Sequence, residues 1–193
     1  MKIPSQFAAM AIALLLLCNL SCIERKPERL EKKESPVSAK LAAMVAELEA
    51  LSQDTALAAE QLAAVRQRHC REVYRLMAQA LIREPANLYH AALVLQQANE
   101  SAGRDILLQA HYLAVEAAQK GYEPAKYLAA ASLDRFLVLG GHRQLYGTQR
   151  YTSSEGVCQL YPYEPTTTDS ARSAWNVPSL DSLLAGAEAL NSR

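Results

Sequence analysis

The sequence predicts a mainly α-helical protein, a compact bundle of antiparallel helices followed by a small C-terminal β-hairpin within an irregular segment. Three observations lead to this fold class. Half of the 193 residues are hydrophobic, which is enough to close a core. Only seven residues are glycine, and alanine and leucine dominate, which favours helices. Apolar residues also recur at three- and four-residue spacing over most of the chain beyond residue 37.

The chain starts with an apolar leader. Residues 7–17 form an uncharged apolar run with the length of a secretory signal core, too short to span a bilayer. The run ends in Ser21-Cys22, a small residue directly before a cysteine, which resembles the bacterial lipobox, although Asn19 stands where that pattern prefers leucine. The resemblance implies that residues 1–21 are a signal peptide and that Cys22 carries a diacylglycerol. Ordinary secretion and an uncleaved anchor are the alternatives.

A charged tether and one helical domain follow. Residues 22–37 hold the lipidated cysteine and a stretch of mixed charge flanked by prolines, which is typical of a solvated spacer. Residues 38–193 are expected to fold as a single domain. Its predicted parts are a long helix or helical hairpin over 38–84, three helices over 86–140, a loop and hairpin over 141–168, and short helices over 169–191.

Two apolar stripes support the helical region over residues 38–84. The first stripe consists of Leu41, Met44, Val45, Leu48 and Leu51, and the second of Leu62, Val65, His69, Val73, Leu76 and Ala80. Asp54 or Thr55 between them can cap a second helix, so a hairpin and one continuous helix fit equally well. Pro85 is expected to end the region, because the residue before a proline avoids helical geometry.

Asp, Pro and Gly residues mark the predicted ends of the remaining elements. Three helices are predicted at Leu88–Asn99, Asp105–Lys120 and from Pro124 to Gly140-Gly141, with Asp105 as an N-cap. The third is apolar around much of its girth, so we expect it to be the most buried element. The hairpin strands are predicted at 148–151 and 157–161, and the short helices near 170–175 and 179–191.

The turn before the third helix resembles a known helical motif. Residues 116–128, with Gly121 and Pro124 between two alanine-containing helices, are similar to the turn region of Sel1-like and tetratricopeptide repeats. No second copy occurs at a fixed period. The resemblance therefore implies one helical pair of this style rather than a repeat array.

The end of the third helix carries a second resemblance. Asp134-Arg135 is followed by a loop that contains Tyr146-Gly147-Thr148-Gln149. This arrangement resembles an uncharacterised bacterial family with an acidic-Arg pair on one helix and a Gly-Arg-Pro-Gln-x-Tyr-Gly-Thr-Gln loop after it. The similarity covers roughly residues 88–185. Where that family often shows Gln-His-x-Asp, this chain has Gln97 and Asn99, so a His/Asp couple for proton transfer would lack both ionisable groups.

The same residues form the candidate binding site. We expect Asp134 and Arg135 to hydrogen-bond the loop over residues 146–149 and fix it against the helices. The alternative is a small-ligand or hydrolytic site lined by Asp134, Arg135, Tyr146, Thr148 and Gln149. A filled junction favours the first interpretation, and a concave pocket there favours the second.

Charge and histidine spacing narrow the function classes. Twenty basic and twenty acidic residues give zero formal charge, which argues against nucleic-acid binding because such proteins carry a basic excess. The four histidines are dispersed, so neither a metal site nor a cofactor is predicted. His69 lies on an apolar stripe and is predicted to be a hydrogen-bonded core residue. No catalytic motif is specific enough to assign a reaction, and we expect a protein that is not an enzyme.

Two cysteines remain after the leader and the lipidation site. Cys70 and Cys158 are expected to form a disulfide, because an exported protein folds in an oxidising compartment. A loop of 88 residues would stabilise the fold by roughly 4–5 kcal/mol in the chain-entropy estimate. The alternative is one buried and one exposed free thiol.

Arginines are concentrated on the second stripe. Arg68, Arg71 and Arg75 share one helical face, which suggests an anionic partner such as lipid headgroups near the anchor. The alternative is a solvated face that pairs with nearby acids, Glu47, Glu49 or Asp54.

These observations favour an exported, membrane-anchored bacterial lipoprotein that faces the periplasm or the exterior. Its body is predicted to be a non-enzymatic helical module, attached to the membrane through the lipid on Cys22, that binds a partner protein of the envelope. The tyrosines of the hairpin offer amphipathic contact area for that partner.

Overall fold

A computed structural model describes residues 35–53, 59–98 and 103–192. The predicted signal peptide, Cys22 and nearly all of the tether lie outside the described residues, as do Asp54, Thr55 and Asn99. Over the described ranges the protein has seven helices, which hold 66% of those residues, and one two-stranded antiparallel hairpin. The predicted fold class is therefore confirmed.

The order of elements is five helices, a hairpin and two short helices. The helices are α1 (Pro36–Gln53), α2 (Ala59–Ala78), α3 (Pro85–Gln96), α4 (Asp105–Gln119), α5 (Ala125–Leu139), α6 (Asp169–Ala174) and α7 (Leu180–Asn191). Strands β1 (Arg150–Thr152) and β2 (Cys158–Leu160) pair antiparallel, with Tyr151 opposite Gln159. None of the described helices is both long enough and apolar enough to cross a membrane.

Two helix boundaries differ from the sequence prediction. Pro85 begins α3 instead of ending α2, because the fixed φ of proline suits the first helical position, where its missing N–H is not needed. Helix α2 has already ended at Ala78, and Ala80 adopts a left-handed φ of 53°. Asp105 is the first residue of α4 and not its cap; Arg104 holds the cap position without a side-chain cap hydrogen bond.

The main core lies among the first five helices. Helix α4 packs between α3 and α5, and α1 and α2 pack on α3. Leu41, Leu48, Val73 and Leu95 are fully buried in this core. Alanines with no exposed surface line the contacts of α3, α4 and α5 and let these helices approach closely; they are Ala91, Ala92, Ala110, Ala114, Ala117, Ala125 and Ala129.

A second, smaller core holds the C-terminal segment against α5. It contains Ala130, Tyr146, Val177 and Leu183, with Trp175 packed against it. Helix α7 packs on β2, and the side chain of Asn191 bonds both backbone groups of Cys158, at 2.6 and 3.1 Å. The hairpin and the last helix thus form one packed unit at the end of α5.

Candidate functional site

The centre of the candidate site is a carboxylate with no exposed surface, Asp134 near the end of α5. Its Oδ1 accepts hydrogen bonds from the backbone N–H groups of Leu145, at 2.7 Å, and Tyr146, at 2.9 Å. Its Oδ2 accepts from the N–H of Thr148 at 3.0 Å and from the Thr148 hydroxyl at 2.8 Å. Both oxygens are therefore engaged by the loop, as expected for a buried charge that must be compensated by hydrogen bonds.

A glycine allows the loop to wrap around this carboxylate. Gly147 has a φ of 90°, a conformation that L side chains rarely adopt. A Cβ at this position would lie 3.1 Å from Cδ1 of Leu183 in α7. The glycine in the Tyr-Gly-Thr-Gln sequence thus meets two needs, the backbone turn and the close approach of the last helix.

Gln144 is a second buried centre of hydrogen bonds. Its Nε2 donates to the carbonyls of Gln149, at 3.0 Å, and Tyr161, at 2.9 Å, and its Oε1 accepts from the Gln149 N–H at 2.7 Å. The Gln144 backbone N–H donates to the Pro162 carbonyl, and its own carbonyl accepts from the Glu164 N–H. Gln144 therefore joins the loop to the chain that leaves β2.

Arg172 of α6 completes the network from the C-terminal side. Its side chain is almost fully buried, and Nε donates to the Tyr146 carbonyl at 3.0 Å. Nη1 donates to the Thr167 carbonyl at 2.6 Å and to Asp169 at 3.1 Å. Sequence reasoning missed both Gln144 and Arg172 as members of the site. Gln144 stands at the first glutamine of the Gly-Arg-Pro-Gln-x-Tyr-Gly-Thr-Gln pattern, which was a signal for it. No spacing or motif links Arg172 to a carbonyl 26 residues earlier.

The predicted site residues divide into two groups. The structure brings Asp134, Tyr146, Thr148 and Gln149 together, and Gln149 also donates from Nε2 to the Ala131 carbonyl at 3.2 Å. Arg135 donates from Nη1 to the Gln96 carbonyl at 2.6 Å, which ties α5 to the end of α3. Of the predicted pair, Asp134 thus binds the loop as expected, and Arg135 bonds a neighbouring helix.

Burial also affects the aromatic member of the loop. The Tyr146 ring packs 6.5 Å from the Trp175 ring, centroid to centroid. Burial, and to a lesser extent the charge of Asp134, raises the pKa of the Tyr146 hydroxyl. The hydroxyl is therefore poorly suited to lose a proton near neutral pH.

Taken together, these contacts hold a loop in place. The carboxylate oxygens of Asp134 and the side-chain amide of Gln144 form hydrogen bonds with the protein's own backbone. These polar groups therefore stabilise the loop. A ligand at this junction would have to displace several buried hydrogen bonds, each costly to leave unmade. The arrangement is that of the filled junction.

The predicted disulfide is contradicted, since Cys70 and Cys158 are both free thiols. Cys70 is buried in the main core on α2, whereas Cys158 lies in β2, which packs on α7. The two cysteines thus belong to elements that pack on different parts of the fold. Burial raises the pKa of the Cys70 thiol to about 11, which makes it unreactive.

An apolar groove lies between β2 and α7. It has a volume of about 320 Å³ and is lined by Val157, Cys158, Gln159, Leu160, Tyr163, Leu184, Ala187, Glu188 and Asn191. Leu184 and the nearby Leu190 are among the large hydrophobic side chains that remain exposed. Exposed leucines beside an apolar groove are typical of interaction surfaces.

A second cleft, of about 460 Å³, lies between α1 and α2. It is lined by Lys40, Met44, Arg68, His69, Arg71, Glu72 and Arg75. The three arginines that the sequence places on one face therefore do line one surface. His69 is buried and lies 3.0 Å from Glu47, so it is the hydrogen-bonded core histidine that the sequence predicts.

Neither a metal-binding group nor a similar known protein indicates a function for this chain. Within the described ranges, no group of three or more His, Cys, Asp or Glu side chains is placed to hold a metal ion. Comparison with the models of known protein families, with curated proteins and with solved structures found no match to this chain. The geometry of the chain itself is therefore the basis for its functional assignment.

Proposed function

We propose that this protein is a lipid-anchored envelope protein whose helical body is a non-enzymatic module that binds a partner protein. Cys22 is the proposed anchor, since a cysteine that carries several acyl chains holds a small domain at a membrane. The groove between β2 and α7 is the proposed partner surface.

The observation that carries this proposal is that three buried polar side chains form their hydrogen bonds within the protein. Asp134, Gln144 and Arg172 all bond the loop and the chain beside the hairpin. Helix α7 is joined to β2 by the two hydrogen bonds between the Asn191 side chain and the Cys158 backbone, so the groove between them is already formed in the protein by itself. A preformed surface loses less conformational entropy on binding, which favours affinity.

The chemistry of the groove supports a protein partner. Leu160, Leu184 and Ala187 provide apolar walls, and Glu188 and Asn191 lie among the lining residues as polar groups. An apolar centre with polar groups beside it is the usual composition of a protein interface.

The hairpin adds aromatic area next to this groove. The rings of Tyr151 and Tyr161 lie 4.9 Å apart, and the Tyr151 hydroxyl bonds Gln159 at 3.1 Å. Tyrosine is enriched at interfaces because it combines a large apolar ring with a polar tip. The alternative function, a small-ligand or hydrolytic site at Asp134 and Arg135, draws no such support, because the contacts of both residues are made within the protein.

The proposal is tested by photocrosslinking in intact cells. A photoreactive amino acid at Leu184 in the full-length protein should give one discrete crosslinked protein. The same probe at Tyr112, an exposed aromatic residue on α4, is the matched control and should not give it. Equal products from both positions, or none from Leu184, would contradict the proposed partner surface.

The anchor is tested separately by mass spectrometry of the same purified protein. The peptide that begins at Cys22 should carry acyl chains, and the protein should sediment with membranes. A full-length chain without acyl groups in the soluble cytoplasmic fraction would contradict the anchor and the proposed location, whatever the crosslinks show.

A further inference from the structure

Among the residues that the structure describes, the cleft between α1 and α2 is lined by more basic than acidic side chains. Its lining includes four basic side chains, Lys40, Arg68, Arg71 and Arg75, and one carboxylate, Glu72. A second carboxylate, Glu47, lies beside it and pairs with Arg68 at 2.7 Å. Four basic side chains against two carboxylates leave a net charge of two positive units among the described residues of this surface.

The ion pairs show which cation is available. Glu72 bonds both Lys40 and Arg75, each at 2.7 Å. These contacts, first that of Arg75 and then that of Lys40, lower the pKa of Glu72 to about 2, so it stays charged at neutral pH. Arg71 is exposed and makes no hydrogen bond or ion pair within the described part of the chain.

We infer that this cleft docks the domain onto anionic lipid headgroups of the membrane that holds Cys22. The inference rests on the proposed lipid anchor. An exposed guanidinium beside a lysine and two further arginines matches phosphate groups, which arginine binds with paired hydrogen bonds. An anionic leaflet presents such phosphates as a continuous surface.

Chain length favours the membrane over a separate acidic protein. Lys40 lies in the second turn of α1, and Pro36 follows Cys22 by 14 residues. A chain of that length spans at most about 50 Å. The anchor therefore keeps the leaflet at a high effective concentration near the cleft, which it does not do for a separate peptide. The net positive charge of the described cleft residues then favours the orientation in which the cleft faces the leaflet.

The test uses the mature acylated protein, which begins at Cys22, in lipid vesicles. A fluorophore is attached at Gln67→Cys in a Cys158→Ser background; Gln67 is exposed and one helical turn before Arg71. A lipid with a nitroxide on its headgroup quenches the fluorophore when the cleft faces the membrane. Quenching should be stronger in vesicles that contain phosphatidylglycerol than in pure phosphatidylcholine, and high salt should remove the difference.

Matched charge variants identify the cleft as the cause. Arg71→Gln should lower the ratio of docked to undocked protein about fivefold in the phosphatidylglycerol vesicles. Arg143→Gln removes the same charge from an exposed residue outside the cleft and should leave the ratio unchanged. Equal quenching in both vesicle types, or equal effects of the two variants, would overturn the inference, even if an acidic peptide bound the cleft. Failure of the anchor itself is read separately, from the mass of the Cys22 peptide.

Discussion

Removal of the Asp134 carboxylate is the most informative perturbation of this fold. In Asp134→Ala, three backbone N–H groups and one hydroxyl lose their acceptor at once. Asp134→Asn keeps one acceptor oxygen and turns an amide NH₂ towards a donor. Thr148→Val removes only the hydroxyl bond. The three variants thus remove different numbers of hydrogen bonds from the same carboxylate site.

The expected magnitudes follow from the number of bonds lost. A hydrogen bond to a charged group contributes about 1.5–3 kcal/mol, and water reaches part of the loop and replaces some of it. We expect the free energy of unfolding to fall by about 3–5 kcal/mol in Asp134→Ala, by about 2 kcal/mol in Asp134→Asn and by about 1 kcal/mol in Thr148→Val. The largest of these is a substantial part of the stability of a typical domain.

Urea unfolding followed by circular dichroism and by Trp175 fluorescence measures these losses. The tryptophan packs against Tyr146 and reports on the loop, whereas circular dichroism reports on the helices. Hydrogen exchange adds a local readout, since the amides of Leu145, Tyr146 and Thr148 should be protected only while Asp134 is present. A loss below about 1 kcal/mol in Asp134→Ala, or unprotected amides in the native protein, would refute the role assigned to this carboxylate.

Three further changes test separate features. Gly147→Ala should destabilise the protein by about 1–3 kcal/mol in urea unfolding, because it strains a left-handed backbone and brings a Cβ against Leu183; an unchanged midpoint would contradict the loop geometry. The lowered pKa of Glu72 contributes stability above about pH 4.5 that is lost as the pH falls towards about 2. Glu72→Gln should therefore flatten this part of the pH–stability profile by about 0.2–1 kcal/mol, since water screens the pair, and an identical profile would argue against the ion pairs. Iodoacetamide at pH 8 should modify Cys158 in the native protein and Cys70 only in denaturant; a Cys70–Cys158 crosslinked peptide without reductant would refute the free thiols.

Local sequence patterns predicted the buried helical faces of the main core, but they left open whether residues 38–84 form one helix or two, and the structure has two, α1 and α2. The spacing of Leu41, Leu48 and Val73 identifies buried faces because a helix repeats every 3.6 residues. Pro85 shows the limit of this reasoning, since proline suits both the end of one helix and the start of the next. Only the packing of the two helices decides between these roles.

The candidate site was predictable only in part, because burial depends on distant partners. The sequence predicts α5 to be the most buried helix, because apolar residues occur around most of its circumference. In the structure, however, the apolar Leu139 is 43% exposed and the acidic Asp134 is fully buried. The loop donors that make this burial possible lie 11 to 14 residues further on. The predicted disulfide failed for the same reason, since spacing along the chain cannot show that Cys70 and Cys158 pack in separate parts of the fold.

The position of Arg172 makes the loop depend on the C-terminal segment. The Tyr146 carbonyl accepts a hydrogen bond from a guanidinium that lies 26 residues further along the chain. Trp175, three residues after Arg172, packs against both the main core and the smaller one. We therefore expect a chain truncated before α6 to lose both contacts and to protect its loop amides less against hydrogen exchange.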